Sequence, residues 1–481
     1  MRHRTLLAQD AAGRHGLVAD RAPDTALLQA AEARLQQPLL WWQCSAEQLQ
    51  QWLDQGEREG RALDAVATPD AAANDASAVQ ELSLGTLERE TSPAVRLLDA
   101  VLLDALADGA SDIHLENGPQ GARLRLRIDG VLQPLRQIDG TALAEQLVSR
   151  LKVLAELDIG ERRLPQDGRF KLRALGREVD FRLSVMPSVW GEDAVVRVLD
   201  RQALTGQGGG GAPLRLATLG FEPAMCEAII RLARAPHGLL LVTGPTGSGK
   251  TTTLYAAIAE LDGVAEKIIT IEDPVEYQLP GVVQIPVNEK KGLGFARGLR
   301  SILRHDPDRV MVGEIRDAET AQIAVQAALT GHLVFSSVHA NSAFDVIARF
   351  MHMGLDLYNL VSALNAVLAQ RLLRQVCPHC AEAIEPDAAA LARLGHDRPL
   401  QLRRGRGCAR CHHSGLRGRL AVAELLRLDD RLRDLIVARA PLAEMRRAAR
   451  DSGLRSLAEA ALDAVRAGRT TLAEVDRVIE L

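Results

Sequence analysis

Aromatic residues make up only 3% of this 481-residue chain: four tryptophans, three tyrosines and seven phenylalanines. Binders of single-stranded nucleic acid rely on such side chains for base stacking, and a formal net charge of −4 denies the chain the basic bias that nucleic-acid binders carry. No nucleic-acid partner is expected. Lysine is also scarce, at six of the 58 basic residues, so the positive charge is almost all arginine. Six cysteines in so long a chain do not make a disulfide scaffold. No stretch approaches the ~18 uninterrupted apolar residues of a membrane span, and the opening segment MRHRTLLAQDAAGRHG has no apolar export region. A cytoplasmic location is the expectation.

What is present is the composition of ordinary globular domains, 47% hydrophobic and 25% charged. At about 150 residues each, three domains are expected. The first 90 residues are Ala- and Gln-rich around an apolar cluster at Leu39, Leu40, Trp41 and Trp42, and the small polar stretch 68–78 reads as a linker. Ser92 as N-cap and Pro93 in the first turn open a helix, with Val95, Leu98, Leu102, Ala105 and Leu106 at helical spacing and Gly109 closing it. Alternating segments at 123–128, 179–185 and 194–199 read as strands of a smaller α/β domain over 90–205. The glycine-rich run 206–213 is a hinge. From 214 to about 375 short apolar strands alternate with helical stretches, the pattern of a doubly wound, mainly parallel sheet. After a cysteine-containing module at 376–420, the stretch 421–481 reads as a helical tail, with Leu425, Leu428, Leu432 and Ile436 as its core face.

Within the doubly wound region an apolar strand, Leu239 to Val242, runs into Gly244, Pro245, Thr246, Gly247, Ser248, Gly249, Lys250, Thr251 and Thr252, and a helix follows carrying Leu254, Ala257 and Ile258. This is a phosphate-binding loop in its required setting. Its glycines let backbone N–H groups curl around phosphate oxygens, Lys250 reaches the β and γ phosphates, and the Thr251 hydroxyl is placed to ligate Mg²⁺. ATP and Mg²⁺ are the implied ligands. Hydrolysis also needs carboxylates that organise metal and water. Glu272 and Asp273 end one later strand and Glu314 another, and strand ends line the ligand crevice of such sheets. The next strand, LVFSSV, runs from His332 to His339; His339 is a candidate to sense the γ phosphate or to relay to a neighbouring subunit, and capping a hydrogen-bond network is the structural alternative for both histidines.

Cys377, Cys380, Cys408 and Cys411 form two C-x-x-C knuckles, the donor set of a tetrahedral Zn²⁺. Redox or unliganded thiols are the alternative. His379, His412 and His413 read as bystanders, and Cys44 and Cys226 as packed residues. Six arginines and no acid between Gln401 and Leu420 (403, 404, 406, 410, 417 and 419) suit phosphate or an acidic lipid headgroup, with a solvated loop around the zinc as the alternative.

The motifs GPTGSGKT, TIEDPVEY, LRHDPDRVMVGEIRDAETAQIA and GHLVFSSVHAN, in this order, resemble the Walker A loop, Asp box, Walker B segment and His box of the secretion ATPase family that powers type II secretion and type IV pilus assembly. The resemblance covers roughly 90–425. It implies a RecA-like P-loop core behind a smaller PAS-like α/β domain, a zinc-binding insertion and a homo-hexamer. It assigns Glu314 to Mg²⁺ and water positioning and makes Glu272 the second candidate to activate water. It also implies arginines supplied to a neighbouring subunit's nucleotide; the matching positions are Arg182 and Arg197, with Arg127 behind them. The implied partners are the cytoplasmic domain of an inner-membrane secretion subunit, met by residues 1–85, and an inner-membrane platform protein, so the motor would attach peripherally to that membrane. The zinc insertion favours a secretion or assembly motor over a retraction motor. A zinc-dependent nucleic-acid-binding protein that uses the P-loop only as a switch is the reading from another class, and the acidic charge and sparse aromatics argue against it.

Overall fold

The computed structural model describes residues 5–9, 15–19, 40–46, 48, 80–82, 92–200, 214–261, 266–395 and 401–480. The linker expected at 68–78, the hinge at 206–213, Leu39 and most of the first 90 residues lie outside the described residues. The chain divides into two units, 1–202 and 203–481.

In the N-terminal unit, β1 (Thr5–Gln9), β2 (His15–Ala19) and β3 (Leu40–Gln43) form a small sheet in which β1 and β2 are antiparallel and β2 and β3 parallel. A second sheet takes β4 (Gln80–Leu82), β5 (Asp112–Gly118), β6 (Gly121–Ile128), β7 (Val131–Asp139), β8 (Gln166–Ala174), β9 (Arg177–Ser188) and β10 (Gly191–Leu199) in the order β4-β8-β9-β10-β5-β6-β7. Helices α1 (Pro93–Ala107) and α2 (Thr141–Leu154) supply the apolar cover. The alternation expected at 179–185 is present: Val179, Phe181, Leu183 and Val185 are buried while Arg182 and its alternate neighbours take the other face. Ser92 stands at the N-cap of α1 without a side-chain capping bond, and Gly109 takes φ +67° just past the helix, where a Cβ is disfavoured.

The C-terminal unit contains α3 (Pro223–Ala233), β11 (Gly238–Thr243), α4 (Lys250–Ala259), β12 (Ile268–Glu272), β13 (Val282–Pro286), α5 (Phe295–Ile302), β14 (Arg309–Val312), α6 (Ala318–Leu329), β15 (Leu333–Val338), α7 (Ala343–His352), α8 (Leu357–Ala363) and β16 (Leu364–Val376). β17 (Ala381–Ile384), α9 (Ala388–Arg393), β18 (Leu402–Gly405) and β19 (Leu416–Arg427) follow, then α10 (Asp430–Val437), α11 (Leu442–Asp451), α12 (Leu457–Arg466) and α13 (Leu472–Val478). The main sheet has the order β13-β12-β14-β15-β11-β16-β19, parallel except for β19. Leu239, Leu241, Val310 and Val312 pack into one helical layer; Leu240, Val242, Met311 and Phe335 pack into the other. Burial on both faces explains why these strands read as continuous apolar runs.

The helical tail expected from 421 needs correction. Leu416–Arg427 is a strand that completes the sheet by antiparallel pairing with β16, and helix begins only at Asp430, where the Asp429 side chain accepts from Leu432 N–H. The spacing of Leu425, Leu428, Leu432 and Ile436 straddles that junction, so its helical period was accidental at the first two positions; unsatisfied edge pairing on β16 outweighed it.

β16 and α13 meet through a buried charge. Glu474, 2% exposed, accepts from Arg374 Nη2 at 2.7 Å and Arg477 Nη2 at 2.6 Å. Burial pushes its carboxyl up, but the hydrogen bonds and charges of these arginines overcome that and bring it down to about 2. Its stabilisation is therefore complete above the ordinary carboxyl value of 4.5 and is lost as the pH falls toward 2. Removing one partner of such a pair costs about 3–5 kcal/mol. Glu474→Ala should lower the urea midpoint of the C-terminal unit at pH 7, and the wild-type advantage should shrink in the same titration at pH 3.

Candidate functional site

The chain leaves β11 at Gly244 (φ +151°), where a Cβ would lie 2.6 Å from both Gln370 O and Ser248 Oγ, so only glycine fits. Gly249, in the left-handed region at φ +84°, starts α4. Lys250 then opens the helix with Nζ folded back on the loop, donating to Gly244 O at 2.9 Å and Pro245 O at 3.1 Å. Burial lowers the Lys250 pKa; the Glu314 carboxylate opposes this and Arg371 reinforces it. Ser248 Oγ is buried without a partner, whereas Pro245, Thr246 and Gly247 are exposed. A loop whose hydroxyl lacks a partner and whose ammonium rests on carbonyls fits a phosphate chain. Thr251 and Thr252 occupy the first turn beside it.

Glu314 follows β14 after Gly313, and the structure brings it to His339 and Arg316. Its Oε2 lies 3.2 Å from His339 Nε2 and its Oε1 2.5 Å from Arg316 Nη2. Arg316 Nη1 in turn lies 3.5 Å from Asp273 Oδ2. Burial raises the Glu314 carboxyl, but the Arg316 hydrogen bond and the charges of Arg316, His339 and Lys250 hold it below the usual range. Burial, then Lys250, lowers the His339 pKa, against the pull of Glu314.

Glu272 goes elsewhere. At 2% exposure its carboxylate accepts from Tyr255 on α4, from Thr270 Oγ1 at 2.5 Å and from Gln284 Nε2 at 3.1 Å. Burial, with this carboxylate alongside, pushes both Tyr255 and Tyr277 well above their ordinary values. His332 precedes the other end of β15, roughly 20 Å of strand from His339, and its Nδ1 lies 3.2 Å from Ala327 O. It caps α6.

Several residues that hold this site escaped the sequence reading. Thr243 Oγ1 donates to Val338 O and Ala340 O, both at 2.9 Å, and so ties the end of β11 to the start of the His339 loop. Ser337 Oγ donates to Gly313 O at 2.7 Å and fixes the backbone next to Glu314. Gln370 grips the P-loop from β16: its Nε2 donates to Ser248 O at 2.7 Å and its Oε1 accepts from Thr253 Oγ1 at 2.8 Å. Paired serines inside one apolar strand and a glutamine inside another were the available signals.

In the N-terminal unit, register aligns Arg169, Arg182, Arg197, Asp112 and Arg127 across β8, β9, β10, β5 and β6. Arg197 Nε lies 2.9 Å from Asp112 Oδ1, and Arg127 Nε lies 3.8 Å from Asp112 Oδ2. Arg127, Arg182 and Arg197 therefore belong to one row on one sheet face, and Arg169 extends it.

The β17–β18 hairpin closes the insertion between β16 and β19 and brings the four cysteines together. Sγ separations are 3.9 Å for Cys377–Cys408, 3.8 Å for Cys380–Cys411 and 3.7 Å for Cys408–Cys411. A tetrahedron with Zn–S bonds of about 2.3 Å has edges of about 3.8 Å, so the thiols fit zinc. Cys411 Sγ also accepts from Cys408 N at 3.2 Å and Gly415 N at 3.3 Å. Burial pushes this thiol up, but those donors bring it down to about 7, which favours the thiolate that a metal takes. His379, His412 and His413 lie outside the cluster. Of the six arginines around it, all exposed, Arg404 pairs with Glu382 at 2.9 Å.

Residues 88–477 match the family described as Type II/IV secretion system protein. The chain is 49% identical over 393 residues to type II secretion system protein E of Pseudomonas aeruginosa, covering 81% of this chain and 76% of that one. It is 46% identical to type II secretion system ATPase E of Vibrio cholerae, with coverages of 81% and 76%. The type IV pilus assembly ATPase PilB of Thermus thermophilus is 43% identical over 81% of this chain and 43% of its own length. Among solved structures, the Legionella pneumophila ATPase DotB matches with a TM-score of 0.57 at 20% identity, covering 79% of this chain and 94% of that one, which speaks for the fold. The pilus retraction motor PilT with bound ADP matches with a TM-score of 0.51 at 26% identity, covering 79% and 96%.

Two measurements check the site. Elemental analysis should find about one zinc per chain, and Cys377→Ser should lose it. In an NMR titration the His339 imidazole should give up its proton below the usual 6.5, and lower still in Glu314→Gln, because the carboxylate that favours the charged ring is gone.

Proposed function

This chain belongs to the Type II/IV secretion system protein family, and on that premise we propose that it is the ATP-hydrolysing motor of a type II secretion system. The observation that carries the proposal is the P-loop with its partnerless Ser248 hydroxyl, set beside the Glu314–His339–Arg316 group. Secretion relatives matched over about three-quarters of their own length support it over the pilus-assembly alternative, whose relative is matched over 43%.

The loop backbone and Lys250 hold the β and γ phosphates, with Nζ exchanging the Gly244 and Pro245 carbonyls for phosphate oxygens. The Thr251 hydroxyl is the side chain that would hold Mg²⁺, and the metal when bound would supply neutralisation of the charge on those oxygens. Glu314 orients the attacking water; its lowered pKa keeps it ionised, and Arg316 and His339 fix its direction. Water oxygen bonds to the γ phosphorus as the bond to the ADP oxygen breaks. Glu272 anchors α4 to the end of β12 by way of Tyr255 and so sets where the P-loop helix starts. Arg182 and Arg197, backed by Arg127, are the arginines proposed to reach a neighbouring subunit's nucleotide in a homo-hexamer. Motion would pass to an inner-membrane assembly through residues 1–85, and the exposed arginines around the zinc module suit acidic headgroups there.

Lys250→Ala and Glu314→Gln should each lower phosphate release at least about 100-fold while the protein stays folded. A deletion strain carrying Lys250→Ala should lose exoproteins from the medium and keep its surface pili. Loss of pili with normal export would establish the pilus-assembly reading, and full turnover in Lys250→Ala would refute the ATPase.

A further inference from the structure

β16 carries a second basic residue to the P-loop. Thr243, the last residue of β11, pairs with Ala369, so the strand's next two side chains lie level with the P-loop. They point to opposite faces. Gln370 turns to α4 and grips the loop. Arg371 turns to the other layer, where Nη2 donates to Asn341 O at 2.9 Å, two residues beyond His339, and Nη1 donates to Gln370 O at 3.0 Å. That second carbonyl is the one packed against Gly244.

The guanidinium is thus held between the P-loop and the His339 loop, yet among the described residues no carboxylate stands within ion-pair distance of it. The same holds for Lys250. Other arginines of this unit are neutralised: Arg316 by Glu314 at 2.5 Å, Arg309 by Glu266 at 2.7 Å and Arg374 by Glu474 at 2.7 Å. Burial lowers the Arg371 pKa, the Glu424 carboxylate on β19 offsets part of that, and the Arg371 charge in turn depresses Lys250. Glu424 sits diagonally across on the same sheet face, opposite Ala369. A buried lysine and a half-buried arginine that rest on backbone carbonyls repel one another, and a polyanion placed between them relieves both.

Building on the ATPase reading, we infer that Arg371 is a phosphate-binding residue supplied in cis, which contacts the terminal phosphates of a nucleoside triphosphate alongside Lys250. It exchanges the Asn341 carbonyl for phosphate, and this frees the loop that carries His339. The residue therefore distinguishes triphosphate from diphosphate and couples that distinction to the partner of Glu314.

The test is ATP and ADP affinity of the full chain, by fluorescent-nucleotide displacement, in wild type, Arg371→Gln and Arg371→Lys. Arg371→Gln should weaken ATP about 10- to 100-fold and ADP by less than about threefold, with Arg371→Lys in between because it keeps the charge but not the two-pronged geometry. Guanidinium ion at millimolar concentration should restore part of the turnover of Arg371→Ala, which a residue that only braces the Asn341 carbonyl would not show. Equal loss of ATP and ADP affinity, or no loss in a variant that melts like wild type, would overturn the inference. If Arg371→Gln fails to fold, the ratio of ATP to ADP affinity in Arg371→Lys and the guanidinium rescue decide it. Failure of the wild type to bind ATP would instead overturn the ATPase reading.

Discussion

A phosphate loop works only if its backbone donors stay unpaired and converge on one point, and that requires the strand before it to be immobile. β11 is hydrogen-bonded to β15 on one side and β16 on the other, and it is buried on both faces. The loop inherits its position from this pairing. Gln370 from one neighbour grips Ser248, while Thr243 reaches carbonyls at the end of the other and just beyond it. Both are polar side chains placed where an apolar one would leave loop groups unpaired, and an unpaired buried group costs more than its bond contributes.

The same lattice separates two adjacent strand-end acids. Glu272 is the last residue of β12, and its direction into the layer that holds α4 commits it to Tyr255, Thr270 and Gln284. Asp273, one residue on, leaves the strand and faces Arg316. Glu314 comes one residue after Gly313, whose carbonyl is held by Ser337, and so meets His339 instead of the interior. One residue of offset at the end of a strand decides whether a carboxylate braces the interior or meets His339 and Arg316.

The cysteine module depends on the sheet as well. It is inserted between β16 and β19, which are antiparallel neighbours, so its two knuckles start and finish close together. Each knuckle offers two thiols; the β17–β18 hairpin folds one pair over the other. A metal there would close the base of a hairpin whose far strand is the edge of the main sheet, which would tie the insertion to the core mechanically.

The P-loop, the strand before it, the four cysteines and the acids at strand ends were all legible in the residues, because each motif is local and its chemistry demands particular residue types at fixed spacing. The arginines of the N-terminal unit were legible as candidates, but only cross-strand register shows Arg127, Arg182 and Arg197 in one row with Arg169 and Asp112. The strand Leu416–Arg427 looks partly helical in sequence because Leu425, Leu428, Leu432 and Ile436 share a helical period; pairing with the edge of β16, which ends about 40 residues earlier, makes it a strand. Gln370, Thr243, Ser337 and Arg371 carry no motif. Sequence by itself determined which groups are able to do chemistry, since reactivity resides in the side chain. The tertiary structure alone decided which of them face one another, because strand register and side-chain alternation are set by pairing between segments that are distant along the chain.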